Sequence, residues 1–516
     1  MQQPVGCLSF ALLAASVHAD VVPAYLFSDN AVLQRDKPIP VWGSADPGEK
    51  VTVTFSGQTV SAAADPQGKW RVDLAALPAN ATGADMVIQG KNTLTRTNMV
   101  VGEVWLASGQ SNMQQMVKET FDSALDIAGS VRFPMIRELR PDKKTSYTPL
   151  STGSGAWKVA GPDTTGDFSA IGYHYALTLY KTLNVPVGII NTSQGASIIQ
   201  AWVDPTTIDS NPTFAEDVKQ RAKKLAGYPA VKAKLDADIS KWEAEKAAAD
   251  AVKKPFSAPR PGYGWGGTPG GRDDMFLPSA YYNGLIQPLL PYSFRGVIWY
   301  QGEGNTGGHA GYVKAFPALI TSWRALFAQG DFPFYWVQLS SYGDNKWNDG
   351  IMWAFMRDAQ TQTLSLPNTG QAISMDLGQP KNIHPQRKQE IGRRLARVAL
   401  ARTYGQKKII DTAPEVEKFE REGTGFRVRF KSPNGRQVLT NFSDPVTGFE
   451  LAGEDRAFKS AIGVMGDNNT SVLVTSAEVP DPVAVRYCWR DFPVPSLFHH
   501  EEGLPVEQFR SDDWKR

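Results

Sequence analysis

Val101–Met116, VGEVWLASGQSNMQQM, constrains this chain more than any other stretch. An apolar run ends abruptly in Gly109-Gln110-Ser111-Asn112, and helix-compatible residues follow. A hydrophobic strand that stops at a glycine and hands over to Ser-Asn presents one hydroxyl at the carboxyl edge of a sheet. Ser111 is therefore the candidate nucleophile. No Gly-x-Ser-x-Gly elbow occurs in the sequence, so an ordinary α/β-hydrolase is not supported. The competing role for Ser111 and Asn112 is to cap the helix that follows, which these residue types commonly do.

Three further stretches have related form. Asn191–Trp202, NTSQGASIIQAW, follows the apolar Val185–Ile190 in the same strand-then-glycine fashion. Trp299–Asn305, WYQGEGN, follows Phe294-Arg295-Gly296-Val297-Ile298 and sits where a buried strand meets a loop. Asp376–Leu395, DLGQPKNIHPQRKQEIGRRL, sets a histidine ahead of a helical period. These four blocks resemble, in order, those of the SGNH hydrolases, in the branch of the sialate O-acetylesterase-like carbohydrate esterases. GQSNM resembles the first block of that family, and WYQGEGN its WYQGESN block with Gly304 in place of serine. The Asn191 stretch resembles a Ser-x-Gly-Gly-Thr block in which Ala196 replaces the second glycine and Ser197 the threonine. The resemblance covers most of the chain and implies a serine carboxylic-ester hydrolase.

A serine hydroxyl is a poor nucleophile unless a base accepts its proton, and histidine has a suitable pKa near neutral pH. His384 is the one histidine in a motif-like context and takes that role. The tetrahedral intermediate then needs hydrogen-bond donors where its oxyanion forms. The backbone amides of Ser111 and Gly195 and the side-chain amides of Gln301 or Asn305 are the natural set. Glu303 reads as a structural partner of the loop amides, and His174 as a packed aromatic neighbour on a helix. Many SGNH enzymes place an aspartate three residues before the histidine; here that position is Lys381, followed by Asn382. Either Asp376 reaches in from the strand end, or a backbone carbonyl orients His384 and the machinery is a Ser-His dyad, which is the preferred reading.

The organisation follows from changes of period. Short alternating runs separated by turn signals, such as Val51-Thr52-Val53-Thr54-Phe55 and Asp46-Pro47-Gly48, predict an N-terminal β-domain over residues 20–98. Strands then alternate with helical periods over 99–405, as a three-layer α/β domain with a parallel sheet requires. Within it, strands are expected at Phe334–Leu339 and Ala372–Met375, and helices at Phe168–Leu183, Ile351–Thr363 and Gln386–Tyr404. The rhythm is interrupted at about 206–275 by a charged helical stretch, Ala215–Lys253, and a Pro/Gly-rich loop, Pro255–Gly271. Tyr263 and Trp265 lie on that loop, and aromatic side chains on long loops are a common way to stack sugar rings. Residues 406–516 return to a β pattern expected to pack back on the catalytic domain. The fold class is α/β, an SGNH-type parallel sheet domain flanked by N- and C-terminal β-sandwich-like regions.

At 516 residues the chain can build two to four sizeable cores. Its 54 Lys+Arg and 52 Asp+Glu leave a net charge of +2, which offers no electrostatic case for nucleic acid or an anionic membrane. Gly6–Val17 is apolar and closed by Val17-His18-Ala19, the small-residue form of a signal-peptidase site, so residues 1–19 read as a signal peptide of a secreted or periplasmic protein. No segment is long enough to span a bilayer. Cleavage would leave Cys488 as the single cysteine, read as a buried apolar filler. No Cys/His cluster has metal spacing, His499-His500 included, and no cofactor is expected. The expected partner is an acetylated carbohydrate: acetylated sialic acid, or a plant cell-wall polysaccharide such as xyloglucan or xylan. A rival reading, a non-catalytic glycan-binding protein on an esterase scaffold, has no need of both Ser111 and His384.

Overall fold

The structure is a computed structural model, and it describes residues 20–343, 350–431, 439–441 and 444–514. The signal-peptide reading of residues 1–19 lies outside the described residues.

The central strand is β1, Thr93–Gly109. Its first part pairs with Asn80–Gln89 and Val32–Gln34 of the N-terminal β-region. From Met99 onward every residue of it is buried, as a strand covered on both faces must be. The strands beside it are β2 (Ile136–Leu139), β3 (Trp157–Val159), β4 (Val187–Asn191), β5 (Gly296–Tyr300), β6 (Phe334–Val337) and β7 (Thr369–Ala372). Their spatial order is β3-β2-β4-β1-β5-β6-β7, parallel except for the antiparallel edge pair β2 and β3. From β1 the chain crosses to β2 and β3 on one side, returns to β4 beside β1, and then passes to β5, β6 and β7 on the other. The carboxyl end of β1 is thus the topological switch point, where open α/β sheets leave a crevice.

Helices cover the sheet as the strand periodicity demands. Trp105 of β1 and Tyr335 of β6 stack at 5.9 Å, and Tyr175 of α1 (Ala170–Leu183) meets Trp105 edge-on at 5.3 Å. The alternate strand residues Trp299, Phe334 and Trp336 instead meet Phe316, far from α1 in sequence. Phe316 lies on a helix at His309–Phe327, so rings from adjacent strand positions reach helices on opposite faces.

The segment between the Asn191 and Trp299 blocks contains α2, Ala215–Ala251, one helix of 37 residues with none fully buried. Lys232–Asp236, Lys234–Asp238 and Lys246–Asp250 pairs along it have the i,i+4 spacing that supports a solvated helix. Three later helices are α3 (the His309–Phe327 helix), α4 (Met352–Gln362) and α5 (Lys388–Arg402). α5 packs beside α1 on the Trp105 face, where a Cβ on Gly392 would come within 2.9 Å of Ile171 O.

One expected strand is displaced: the pattern placed it at Ala372–Met375, and the structure forms it at Thr369–Ala372. β7 ends at Ala372 and Met375–Leu377 forms a 3-10 turn. Ser374 Oγ donates to Gln338 O at 2.8 Å, so a side chain replaces the next ladder amide. The C-terminal region is a seven-stranded sheet running from Glu415–Glu422 at one edge to Phe509–Arg510 at the other. Its core includes Ile373 and Met375, beyond β7, and half-buried Glu507 accepts from Gln338 Nε2 and Gln371 Nε2 at 2.6 and 3.0 Å. Among the described residues no helix is long and apolar enough to cross a membrane.

Candidate active site

Gly109 closes β1 with φ +124°, and a Cβ there would lie 2.2 Å from Tyr300 O. Only glycine lets β1 and β5 approach this closely while turning the chain. Gln110 is extended and Ser111 is the first residue of a four-residue helix, Ser111–Gln114, with no side-chain cap. Ser111 therefore does not cap that helix. Its Oγ lies 2.8 Å from His384 Nε2.

The loop after β4 reaches the same point. Gln194 N donates to Gly109 O at 2.9 Å, and a Cβ on Gly195 would lie 3.6 Å from Ser111 Cβ. Ala196 follows with φ +56°, in the position where the resembled block carries glycine. An L-residue in that region costs about 1–2 kcal/mol relative to glycine. Gly195 N donates to Gln114 Oε1 at 2.5 Å, whereas the Ser111 N–H has no acceptor among the described residues.

Ser111, His384, Gly195 and Gln114 line an open cleft of about 680 Å³, together with Lys143, Ile198, Phe276 and Trp265. Trp265 is 70% exposed and rests edge-on against Phe276 at 5.8 Å. The loop carrying it is anchored by Asp274, whose Oδ2 accepts from Gly270 N and from Lys224 Nζ of α2. Tyr263 is exposed but does not line the cleft.

Four expected roles are corrected by the hydrogen bonds. Gln301 is fully buried; its Nε2 donates to Ser197 O and to Asn305 Oδ1, and its Oε1 accepts from Tyr312. Asn305 Oδ1 also accepts from Ile199 N, and its Nδ2 donates to Gln200 Oε1. Both amides fasten the β4 and β5 loops together, and neither lines the cleft. Gln110, Gln114 and Gln194 line the cleft instead, and sequence reasoning missed them; for Gln114 the available signal was its place one helical turn after Ser111. Asp376 is gripped by Arg394, with both carboxylate oxygens accepting at 2.6 and 2.7 Å. An acid so held orients α5, not His384. Nor does a main-chain carbonyl serve: among the described residues nothing accepts from His384 Nδ1. Asn382 Oδ1 accepts the backbone N–H of His384 at 2.9 Å, which shapes the turn and leaves the ring alone.

Beneath the pair lies a polar group that the motifs did not reveal, with Asn112 and Lys388 buried and Glu303 partly exposed at the cleft. Asn112 Nδ2 donates to Glu303 Oε1 at 2.5 Å and to Ile383 O at 3.0 Å. Lys388, at the start of α5, donates from Nζ to Asn112 Oδ1 at 2.6 Å and to Pro385 O at 2.7 Å. Burial pushes the Glu303 carboxyl up to about 7, against the opposing hydrogen bond from Asn112. Burial likewise brings the Lys388 ammonium down to about 7, with the Glu303 charge acting the other way. His384 is held below the ordinary imidazole value first by burial and then by the Lys388 charge, while Glu119 pulls it up. A base that stays neutral to lower pH suits proton abstraction. His174, by contrast, packs edge-on against Tyr173 with Nε2 3.2 Å from Asp126.

Known proteins match this chain along nearly its whole length. Residues 280–401, which include the WYQGEGN and histidine blocks, match the family model of carbohydrate esterases described as sialic acid-specific acetylesterase. The sialate O-acetylesterase of Rattus norvegicus is 28% identical over 567 residues, covering 98% of each chain. That of Mus musculus is 27% identical over 530 residues, covering 94% of this chain and 93% of its own. The crystal structure of a carbohydrate acetylesterase from Xanthomonas citri superposes with a TM-score of 0.79 at 32% identity, covering 96% of this chain and all of that one. With a relative of that identity aligned end to end, this chain belongs to the sialate O-acetylesterase-like carbohydrate esterases.

Proposed function

We propose that the protein is a secreted carbohydrate O-acetylesterase that removes acetyl groups from glycan hydroxyls through an acetyl-serine intermediate. The observation that carries this reading is the 2.8 Å contact between Ser111 Oγ and His384 Nε2 at the floor of an open cleft. His384 accepts the Ser111 proton as Oγ attacks the acetyl carbonyl carbon. The resulting oxyanion takes the place of Gln114 Oε1 at the Gly195 N–H and is also met by the free Ser111 N–H. The imidazolium then protonates the departing sugar oxygen. Water, deprotonated by His384, attacks the acetyl-serine, and the imidazolium returns that proton to Ser111 Oγ as the ester bond breaks and acetate leaves. The machinery is a Ser-His dyad on an SGNH-type three-layer domain over 99–405, with β-regions at 20–98 and 406–516 as scaffold and 1–19 as the export signal.

The exposed Trp265 ring at the cleft supports an acetylated polysaccharide, such as xyloglucan or xylan, over a single acetylated sugar. Lys143 on the same cleft favours a second substrate, acetylated sialic acid, whose carboxylate a lysine can meet. The experiment is acetate release from a panel of acetylated xyloglucan, xylan and sialic acid by the wild-type protein and Ser111→Ala. Release by the wild type alone supports the esterase; release by neither favours the glycan-binding reading.

A further inference from the structure

We propose that Lys388 is a positioning residue that fastens the His384 loop to the nucleophile helix through Asn112, taking over the task of the missing acid. The inference rests on the reading of Ser111 and His384 as the reacting pair. Its basis is the closed pattern of hydrogen bonds around the histidine. The carbonyl before His384, on Ile383, accepts from Asn112 Nδ2, and the carbonyl after it, on Pro385, accepts from Lys388 Nζ. The same Nζ donates to Asn112 Oδ1, and Asn112 directly follows Ser111. The backbone on both sides of the base is therefore tied to the residue beside the nucleophile. Since no described group accepts from His384 Nδ1, the ring is placed through its main chain.

Packing alone does not account for an ammonium at this position. A lysine with 0% exposure is costly to bury unless its donors are satisfied. A methionine of similar length would fill the same space, so packing alone does not call for the ammonium. The groups facing His384 are Ser111 and Glu119 from the nucleophile segment, Glu303 from the loop after β5, Lys388 from α5 and Lys143 across the cleft. Of these, Lys388 donates to the backbone next to the base and also lowers the base's proton affinity by its charge.

The test compares Lys388→Met and Lys388→Gln with the wild type on p-nitrophenyl acetate, recording kcat, KM and the pH profile. Loss of the clamp displaces the base, and a misplacement of about 1 Å costs on the order of 10² in rate. Lys388→Met should therefore lose about 10² in kcat with KM changed less than about twofold. Lys388→Gln, which keeps donors without charge, should recover part of that loss. In both, removing the positive charge raises the His384 pKa, so the acid limb of kcat/KM should move to higher pH. Folding is checked by thermal unfolding; if Lys388→Met does not fold, Lys388→Gln decides. A folded variant with wild-type kcat, or one whose rate falls while its acid limb stays in place, overturns the proposal. Activity that survives in Ser111→Ala would instead strike the underlying dyad reading, so the two failures are distinguishable.

Discussion

Replacing Asp376 by asparagine separates a structural acid from a catalytic one. The Asp376 carboxylate sits in a bidentate pair with Arg394, whose guanidinium also donates to Ile373 O at 2.8 Å and to Glu390 at 2.8 Å. Breaking a buried ion pair by removing one partner costs about 3–5 kcal/mol. The asparagine side chain would keep one acceptor oxygen and Glu390 a countercharge, so about 2 kcal/mol is the expected loss for Asp376→Asn. That is up to about thirtyfold in a folding equilibrium, visible as a lower urea midpoint by tryptophan fluorescence. Catalysis should hardly respond: kcat for p-nitrophenyl acetate in the absence of urea should fall by less than about tenfold. In serine proteases the aspartate that fixes the histidine is worth about 10⁴ in kcat. A kcat loss of about a thousandfold or more with an unchanged urea midpoint would falsify the dyad and make Asp376 a third catalytic residue.

Ser111→Ala and His384→Ala should each abolish nearly all esterase activity, and the double variant should be about as inactive as either, because groups sharing one step lose non-additively; additive losses would show that they do not share it. Gln114→Ala should change kcat for p-nitrophenyl acetate with little effect on thermal stability, whereas Gln301→Ala and Asn305→Ala should lower the unfolding temperature first; a large kcat loss at unchanged stability in either of the latter restores it as an oxyanion donor. Trp265→Ala should weaken turnover of an acetylated polysaccharide far more than that of p-nitrophenyl acetate, which is too small to reach a stacking ring. Equal effects on both substrates would mark the Pro255–Gly271 loop as structural.

Some of this architecture is a local matter, and therefore legible in the order of the residues. An apolar run stopping at Gly109 marks a strand end because side-chain period and backbone sterics act between near neighbours, and the φ of +124° there is one that L side chains rarely adopt. The same local rules place Gly195 after β4 and Gln301 after β5, and they read Ala215–Ala251 as a helix from its composition. They do not say which way a side chain turns at a strand end, since that depends on elements hundreds of positions away.

The glutamine in WYQGEGN looked free to meet an oxyanion, yet packing against Ser197, Asn305 and Tyr312 uses its amide completely. The loop between Asp376 and His384 could have folded back to bring the two together, but α5 delivers Arg394 to Asp376 instead. Asn112, Glu303 and Lys388 belong to three separate blocks, and no spacing rule links them. What the amino-acid order alone determined was where strands end and which chemical groups stand there. Which of those groups meet was decided only when β1, β5 and α5 packed together, because a buried hydrogen bond is selected by the exclusion of water and of every other partner.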